Sequence, residues 1–155
     1  DWSLRSDPRV KVMERTNARY MEPSWFETPL DFASIDVSFI SLDKILPPLL
    51  SCLREGGEVV ALVKPQFEAG RGKVGKNGVV TDEETHLEVV ERMLRVAQEA
   101  GFCVNGLSYS PIRGPKGNIE FLLWLSKCIA GCGVTTKVDH NGAVSVVRLA
   151  HNACI

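Results

Sequence analysis

The chain has 155 residues, 45% of them hydrophobic, which suits one domain with a core of ordinary size. The formal net charge of −1 at pH 7 does not exclude a nucleic-acid partner, because basic residues can concentrate locally. No apolar stretch approaches the roughly 20 residues that span a bilayer and no leader opens the chain, so we expect a cytoplasmic protein with no membrane partner.

The first third of the chain predicts two strands and a helix. Residues 10–14 alternate between apolar and polar like a short strand, and the apolar run 32–37 predicts a second strand that carries Asp36 at its end. Leucine and isoleucine at helical spacing predict a helix over 42–53, in which two adjacent prolines require either a late start or a kink.

The middle of the chain predicts a third strand and a second helix. A Gly-Gly pair is expected to end the first helix, and the β-branched run 58–63 then predicts a strand that carries Lys64 at its end. Thr81 with Glu84 three residues later forms a capping box, which predicts the start of the second helix.

The last predicted strands form a hairpin. Gly101 is expected to end the second helix, residues 102–107 predict a fourth strand, and residues 119–125 predict a fifth strand that pairs with it. We expect Phe121 and Trp124 in the core. The order strand, helix, strand, helix, hairpin is typical of half of a doubly wound α/β sheet.

Residues 127–155 differ from the rest of the chain. They are rich in small residues, and Asn141-Gly142 is a hairpin turn signal that precedes a short apolar run. We therefore predict either an added β-hairpin or a loosely attached tail, without a chemical role.

The cysteines favour reduced thiols. They are odd in number and irregularly spaced, at Cys52, Cys103, Cys128, Cys132 and Cys154, so a disulfide framework is not expected. Cys128 and Cys132 with His140 or His151 could form a zinc site, but their spacing matches no familiar zinc finger. We predict that the chain holds no metal.

Three ionisable side chains lie at the ends of apolar runs: Asp36, Lys64 and Glu120. Short runs rich in Val, Ile and Leu between helices are typical of parallel strands buried on both faces, where an unpaired charge costs several kcal/mol. Such charges belong at the carboxyl ends of the strands, where open α/β sheets bind ligands. We therefore predict that the three side chains converge on one pocket, against the alternative of a structural ion pair.

Two glycine-rich loops, 66–80 and 111–117, each follow a predicted strand. The second loop also contains prolines and leads into the strand that carries Glu120. The two loops contain five basic residues: Arg71, Lys73, Lys76, Arg113 and Lys116. Glycine and proline let the backbone approach a polyanion closely, so the loops predict contacts with RNA phosphates. The alternative is a solvated charged surface.

Four strings of residues resemble a known family. They are Glu14–Arg19, Ile35–Leu42, Leu62–Gly70 and Gly114–Trp124. Together and in this order they resemble the hemolysin A type (TlyA) ribosomal RNA methyltransferases, which are similar to FtsJ-like enzymes that methylate a ribose 2′-hydroxyl with S-adenosylmethionine (SAM). The resemblance runs from about residue 5 to residue 126.

The resemblance implies a Rossmann-like SAM-dependent methyltransferase sheet of the α/β class that ends in an antiparallel hairpin. Residues 1–126 would form the C-terminal part of an FtsJ-like domain, and residues 127–155 lie outside the resemblance. The family's glycine-rich turn for SAM, its ribose-binding acid and its first two strands precede the region that matches. The resemblance thus implies SAM as the cofactor, with its binding impaired in this chain alone.

The resemblance also implies roles for individual residues. Asp36, Lys64 and Glu120 match the last three members of a Lys-Asp-Lys-Glu catalytic tetrad, whose first lysine has no counterpart here. Cofactor contacts are implied for Asp36 and Ser38 and for the turn Arg15, Thr16 and Asn17, where ordinary turn chemistry is the alternative.

The chemistry of methyl transfer fits a lysine held between acids. A ribose hydroxyl is a weak nucleophile while it is fully protonated, and an adjacent ammonium favours its anionic form. We prefer this electrostatic role for Lys64, with Asp36 and Glu120 orienting it; a neutral Lys64 acting as a base is the alternative.

The predicted function is SAM-dependent 2′-O-methylation of ribosomal RNA, with ribosomal RNA or a ribosomal subunit as partner. The alternative is a non-catalytic RNA-binding or interaction module related to hemolysin A. A membrane-active protein is disfavoured because no amphipathic basic helix is present. The exposed flank of the strand that ends at Asp36 predicts either pairing with the strand at 10–14 or a homodimer.

Overall fold

The computed structural model describes residues 1–70 and 72–153. Within these residues the strands are β1 (Leu30–Ile35), β2 (Leu53–Val63), β3 (Phe102–Tyr109) and β4 (Phe121–Lys127). The α-helices are α1 (Trp2–Ser6), α2 (Leu46–Cys52), α3 (Pro65–Glu68), α4 (Glu83–Glu99) and α5 (His140–Ala153). None of the helices in the described part combines the length and apolarity that crossing a bilayer requires.

The four strands form one mixed sheet in the order β1-β2-β4-β3. β1 and β2 are parallel, and β4 runs antiparallel to both β2 and β3. The predicted hairpin of the last two strands is therefore confirmed. The carboxyl ends of β1 and β2 lie at the same edge of the sheet as the start of β4, so the predicted catalytic positions share one edge.

Only one face of the sheet is fully buried. Val59, Ala61 and Val63 alternate along β2 and are at most 1% exposed, because they face a core that includes residues of α2, α4 and α5. On the opposite face Phe32 is 55% and Trp124 is 44% exposed. The predictions of strands buried on both faces and of a core Trp124 are therefore wrong, whereas Phe121 is fully buried as predicted.

Residues 10–14 form no strand. Val10 and Val12 are 38% and 45% exposed, and within the described residues no strand pairs with them or with the outer flank of β1. Apolar alternation without a neighbouring edge leaves backbone groups unpaired, so it does not stabilise a strand. The prediction that this segment pairs with the strand ending at Asp36 is wrong.

The first predicted helix begins late, which is one of the two expected outcomes. Ser41 caps a 3₁₀ turn over Leu42–Lys44, and α2 starts at Leu46 with the two prolines in its first turn, where they are tolerated. The Gly-Gly pair does not end this helix. Gly56 has φ of 68° and lies inside β2, where the pairing register with β1 shifts.

The second helix, α4, begins at a different cap from the predicted one. Asp82 accepts a hydrogen bond from the backbone N–H of Thr85 at 2.7 Å, so Asp82 rather than Thr81 is the N-cap residue. Gly101, with φ of 99°, follows the end of the helix as predicted.

The hairpin or tail predicted for 127–155 is replaced over 140–153 by helix α5. Asp139 accepts a hydrogen bond from the backbone N–H of Gly142 at 2.8 Å, which places the Asn-Gly pair in a first helical turn rather than in a hairpin turn. Ala143, Val147 and Ala150 share one face and are buried against α4 and β3. The periodicity of these three residues is that of an amphipathic helix.

Two of the predicted free thiols are paired. Cys103 of β3 and Cys128, just after β4, form a disulfide, while Cys52 is a buried thiol and Cys132 an exposed one. The prediction of reduced thiols is thus wrong for this pair. The disulfide also removes Cys128 from the zinc site considered as an alternative.

Candidate active site

Asp36 and Lys64 form an ion pair at the shared edge of the sheet. Each residue directly follows the last residue of a parallel strand, so both side chains start from the same edge. The Lys64 Nζ lies 2.5 Å from Asp36 Oδ1 and 3.4 Å from Ser38 Oγ, to which it donates. The Lys64 side chain is 10% exposed and that of Asp36 is 71% exposed. The structure therefore holds a nearly buried amine against a solvent-facing carboxylate.

Glu120 lies opposite Lys64 but binds a different side chain. The antiparallel register pairs Val63 with Phe121, so the next position along brings Glu120 across from Lys64. The Glu120 carboxylate is 5% exposed, and its Oε1 accepts a hydrogen bond from Gln66 Nε2 at 2.9 Å. The structure therefore brings Asp36 and Lys64 into direct contact and Glu120 into the same neighbourhood, joined to the residue two positions beyond Lys64.

Gly114 makes room for the Glu120 carboxylate. A Cβ atom at this position would lie 2.2 Å from Glu120 Oε1 and 2.5 Å from its Cδ. The close approach explains why the second glycine-rich loop carries glycine there, since any larger residue displaces the buried acid.

A first cavity of about 490 Å³ lies beside the ion pair. Its polar rim contains Arg15, Thr16, Asn17 and Ser38, and its apolar wall contains Ala18, Val37, Ile40 and Ile45. Four of the five residues predicted to contact a cofactor thus line one cavity. The fifth, Asp36, does not line the cavity but directly precedes Val37 and Ser38, which do.

A second cavity of about 320 Å³ shares Ser38 with the first. It is lined by Ser38, Phe39, Lys64, Gln66, Phe67, Gly78, Pro115, Lys116 and Asn118. Phe39 is 91% exposed and adopts φ of 63°, and its ring lies 4.9 Å from that of Phe67. Lys64 therefore faces a cavity with two aromatic rings on its wall and a basic residue on its loop side.

Asn118 joins the two basic loops and was not predicted. It is 2% exposed; its Oδ1 accepts from the backbone N–H of Val80 at 3.1 Å, and its Nδ2 donates to the carbonyls of Gly78 and Pro115 at 3.0 Å each. A single buried amide thus holds both loops around the second cavity. The sequence signal was weak because its partners lie up to 40 residues away.

Glu68 is a second residue that the sequence did not reveal. Its side chain is 2% exposed and lies at the end of the short helix α3. Burial raises the pKa of the Glu68 carboxyl above its usual range, against the opposite effects of Ser41, the Leu42 amide and Arg92. Glu68, four residues after Lys64, is therefore a buried acid that connects the segment after β2 to Ser41 and Leu42.

The predicted RNA-binding residues have different surroundings. Lys73 forms an ion pair with Glu88, Lys76 is exposed, and Arg113 donates to the Gly117 carbonyl at 3.0 Å. Lys116 lines the second cavity and also a third, of about 370 Å³, that Arg113 and His151 share. Arg71 lies outside the described residues. Among the predicted RNA-binding residues that the structure describes, Lys116 is the one that lines the same cavity as Lys64.

The chain is similar to known proteins over most of its length. Residues 1–127 match the family model of the FtsJ-like methyltransferases. The chain is 55% identical over 125 residues to a Bacillus subtilis protein named "Putative rRNA methyltransferase YqxC", with 80% of the chain and 44% of that protein covered. It is 48% identical over 124 residues to the Mycobacterium tuberculosis 16S/23S rRNA (cytidine-2′-O)-methyltransferase TlyA, with 80% and 46% covered. The chain thus spans about half the length of these relatives.

Solved structures support the same fold. A "Putative hemolysin from Streptococcus thermophilus" superposes with a TM-score of 0.92 at 49% identity, covering 99% of the chain and 54% of that protein. A "putative S-adenosylmethionine dependent methyltransferase from Listeria monocytogenes" superposes with a TM-score of 0.55 at 15% identity, covering 80% of the chain and 72% of that protein. The predicted α/β methyltransferase-like fold is confirmed.

Proposed function

Because the chain belongs to the FtsJ-like methyltransferase family, we propose that the protein containing it transfers a methyl group from SAM to a ribose 2′-hydroxyl of ribosomal RNA. The observation that carries this proposal is the buried Lys64 amine, paired with Asp36 where two cavities meet at Ser38. One cavity suits a cofactor and the other suits a nucleotide.

The residues of the first cavity fit part of a nucleoside cofactor. Val37, Ile40 and Ile45 supply an apolar wall against which a purine can pack, and Thr16 and Asn17 supply polar atoms suited to a ribose. When bound, SAM supplies an electrophilic methyl group on a sulfonium sulfur. The contribution of this chain is to orient the adenosine part beside Asp36.

Lys64 would act on the attacking oxygen of the RNA. Its amine faces the second cavity, so a ribose placed there meets an ammonium that favours the anionic form of the 2′-hydroxyl. Asp36 and Ser38 orient the amine, since both lie within reach of Nζ. Glu120 fixes the opposite wall through its hydrogen bond with Gln66.

The basic loops would hold the RNA backbone. Lys116 extends from a loop that Asn118 anchors beside the second cavity, and Lys76 and Arg113 are exposed on the same pair of loops. Positive side chains on loops that approach the cavity suit phosphates flanking the target nucleotide. Phe39 and Phe67 offer faces on which its base can stack.

The test is methyl transfer by the intact protein, carrying any residues that flank this chain. Ribosomal subunits are incubated with tritiated SAM, and the labelled RNA is digested with alkali, which leaves 2′-O-methylated linkages uncleaved. We expect Lys64→Ala to lower the rate by about a hundredfold or more, because the charge that stabilises the oxyanion is lost. The matched control is Lys137→Ala, which removes an exposed amine that lies beside Glu58 and Cys128, at the opposite end of the sheet.

Two results would contradict the proposal. If the Lys64→Ala protein incorporates as much alkali-resistant label into RNA as the wild type, the amine has no catalytic role. RNA binding without any incorporation by the unaltered intact protein would favour the alternative function, a non-catalytic RNA-binding module.

A further inference from the structure

Two chain segments leave the carboxyl ends of β1 and β2 and run side by side. The first is 36–42 and the second is 64–68. They touch at three places: the ion pair of Asp36 with Lys64, the tilted contact between the rings of Phe39 and Phe67, and the hydrogen bonds of Ser41 and Leu42 with Glu68. The first contact is the proposed catalytic pair, and the last is a buried clamp at the far end.

In the Glu68 clamp, both carboxylate oxygens accept hydrogen bonds from the first segment. The Ser41 hydroxyl donates to Oε2 at 2.5 Å, and the Leu42 backbone N–H donates to Oε1 at 2.8 Å. Bonds from a backbone N–H and a hydroxyl to a charged, buried acceptor are among the stronger hydrogen bonds in proteins. The start of the 3₁₀ turn is thereby fixed to the end of α3.

Helix α4 supplies the countercharge for the clamp. Arg92 Nη1 donates to Glu68 Oε2 at 3.2 Å and to the Glu68 carbonyl at 3.1 Å, and Arg92 also lies 3.5 Å from Asp43. The buried acid is thus tied to a long helix of the core. Removing one partner of a buried ion pair leaves the other charge uncompensated, so these contacts are costly to break.

The segment between the two contacts is held in a strained conformation. Phe39 has φ of 63°, a value that bulky residues rarely adopt, and its side chain is almost wholly exposed. A strained, exposed residue persists only when its flanks are fixed. Ser38 on one side is held by Lys64, and Ser41 on the other side is held by Glu68.

We propose that Glu68 is a positioning residue: by clamping Ser41 and Leu42 to the end of α3, it keeps Asp36 and Ser38 against the Lys64 amine. This role in catalysis rests on the proposed function, whereas the mechanical link between Glu68 and the ion pair does not. Glu68 itself lines neither of the two cavities.

The first test measures the reactivity of Lys64 in the 155-residue chain. The chain is exposed to an acetylating N-hydroxysuccinimide ester, and peptide mass spectrometry compares Lys64 with exposed Lys137 as an internal reference. We expect Glu68→Gln to raise the relative acetylation rate of Lys64 by about tenfold, because the clamp opens and the amine loses its partners. The matched control Glu99→Gln removes an exposed carboxylate at the end of α4, and we expect it to leave the rate unchanged.

A second variant keeps the test decisive if Glu68→Gln does not fold. Ser41→Ala retains the buried carboxylate and removes one donor, so we expect a smaller rise, of about threefold, in Lys64 acetylation. A Lys64 rate that stays at the wild-type value in the folded variants would overturn the proposal. A rise in the Glu99→Gln control as large as in Glu68→Gln would also overturn it.

The second test uses methyl transfer by the intact protein. We expect Glu68→Gln to lower kcat about tenfold while KM for SAM changes less than about twofold, since the clamp acts on the reacting groups rather than on cofactor affinity. The Lys64→Ala protein distinguishes failure of the proposed function from failure of the proposed role of Glu68. If it retains full methyl transfer, the proposed function fails, and the acetylation experiment still decides the mechanical role of Glu68.

Discussion

His86 should make the fold sensitive to mild acid. This residue of α4 is fully buried, and its Nδ1 lies 2.8 Å from His151 Nε2 of α5. Within the described residues its Nε2 has no hydrogen-bond partner, so a proton added there would be buried without a bond. Burial, reinforced by His151, lowers the pKa of His86 from its ordinary value of 6.5 to about 4.

The direction and size of the effect follow from linkage. Above pH 6.5 the imidazole is neutral in both folded and unfolded chains, so its contribution to stability is fully present. As the pH falls from 6.5 towards 4, His86 is protonated in the unfolded chain but remains largely neutral in the folded one, so the free energy of unfolding decreases. Between pH 7.5 and pH 5 the loss from this group is about 2 kcal/mol.

The assay is urea unfolding of the chain at pH 7.5 and pH 5.0, followed by circular dichroism. The comparison variant is His86→Gln, whose amide can still bond to His151 but does not titrate. Subtracting the acid-induced loss in the variant from that in the wild type removes the contributions of every other titrating group. A difference near zero, with equal denaturant slopes, would refute the assignment to His86.

Three further outcomes are expected. Gly114→Ala should lower methyl transfer by the intact protein at least about tenfold, since the new Cβ displaces the Glu120 carboxylate; unchanged kinetics would contradict the packing argument. Asn118→Ala should lower the free energy of unfolding in urea by about 1–3 kcal/mol, because backbone groups of both basic loops lose their hydrogen-bond partner; a decrease below about 0.5 kcal/mol would count against the role of Asn118 in holding the loops. Lys116→Ala should flatten the plot of log affinity for ribosomal RNA against log salt by about 0.7, while Lys137→Ala leaves the slope unchanged; equal slopes for both variants would remove the phosphate contact.

The edge of the sheet could be predicted because its geometry follows from local sequence. Asp36 and Lys64 each end an apolar run of strand length, and parallel strands with helical crossovers bring their carboxyl ends together. Glu120 could be assigned to the same edge from the hairpin, because an antiparallel partner starts where its neighbour ends. The local sequence pattern placed these side chains at the strand ends, and the sheet topology then placed the strand ends at one edge.

Other features depend on contacts that local pattern does not encode. Residues 10–14 alternate correctly, yet a strand also needs a partner strand, and within the described residues this segment pairs with none. The Asn-Gly pair of α5 is a strong turn signal that the Asp139 cap and burial of one apolar face outweigh. Glu68 binds side chains and backbone 24 to 27 residues away, and Asn118 joins its own loop to residues 38 and 40 positions away, so local sequence pattern reveals neither residue.

Ser38 is the common wall of the two cavities, and this has a thermodynamic consequence. Any occupant of the first cavity that shifts Ser38 also reshapes the second, so the two binding equilibria are linked. Linkage is reciprocal: the factor by which a cofactor tightens RNA binding must equal the factor by which RNA tightens cofactor binding. A residue shared by the two pockets is thus the place where a substitution would change both affinities together if the pockets are coupled.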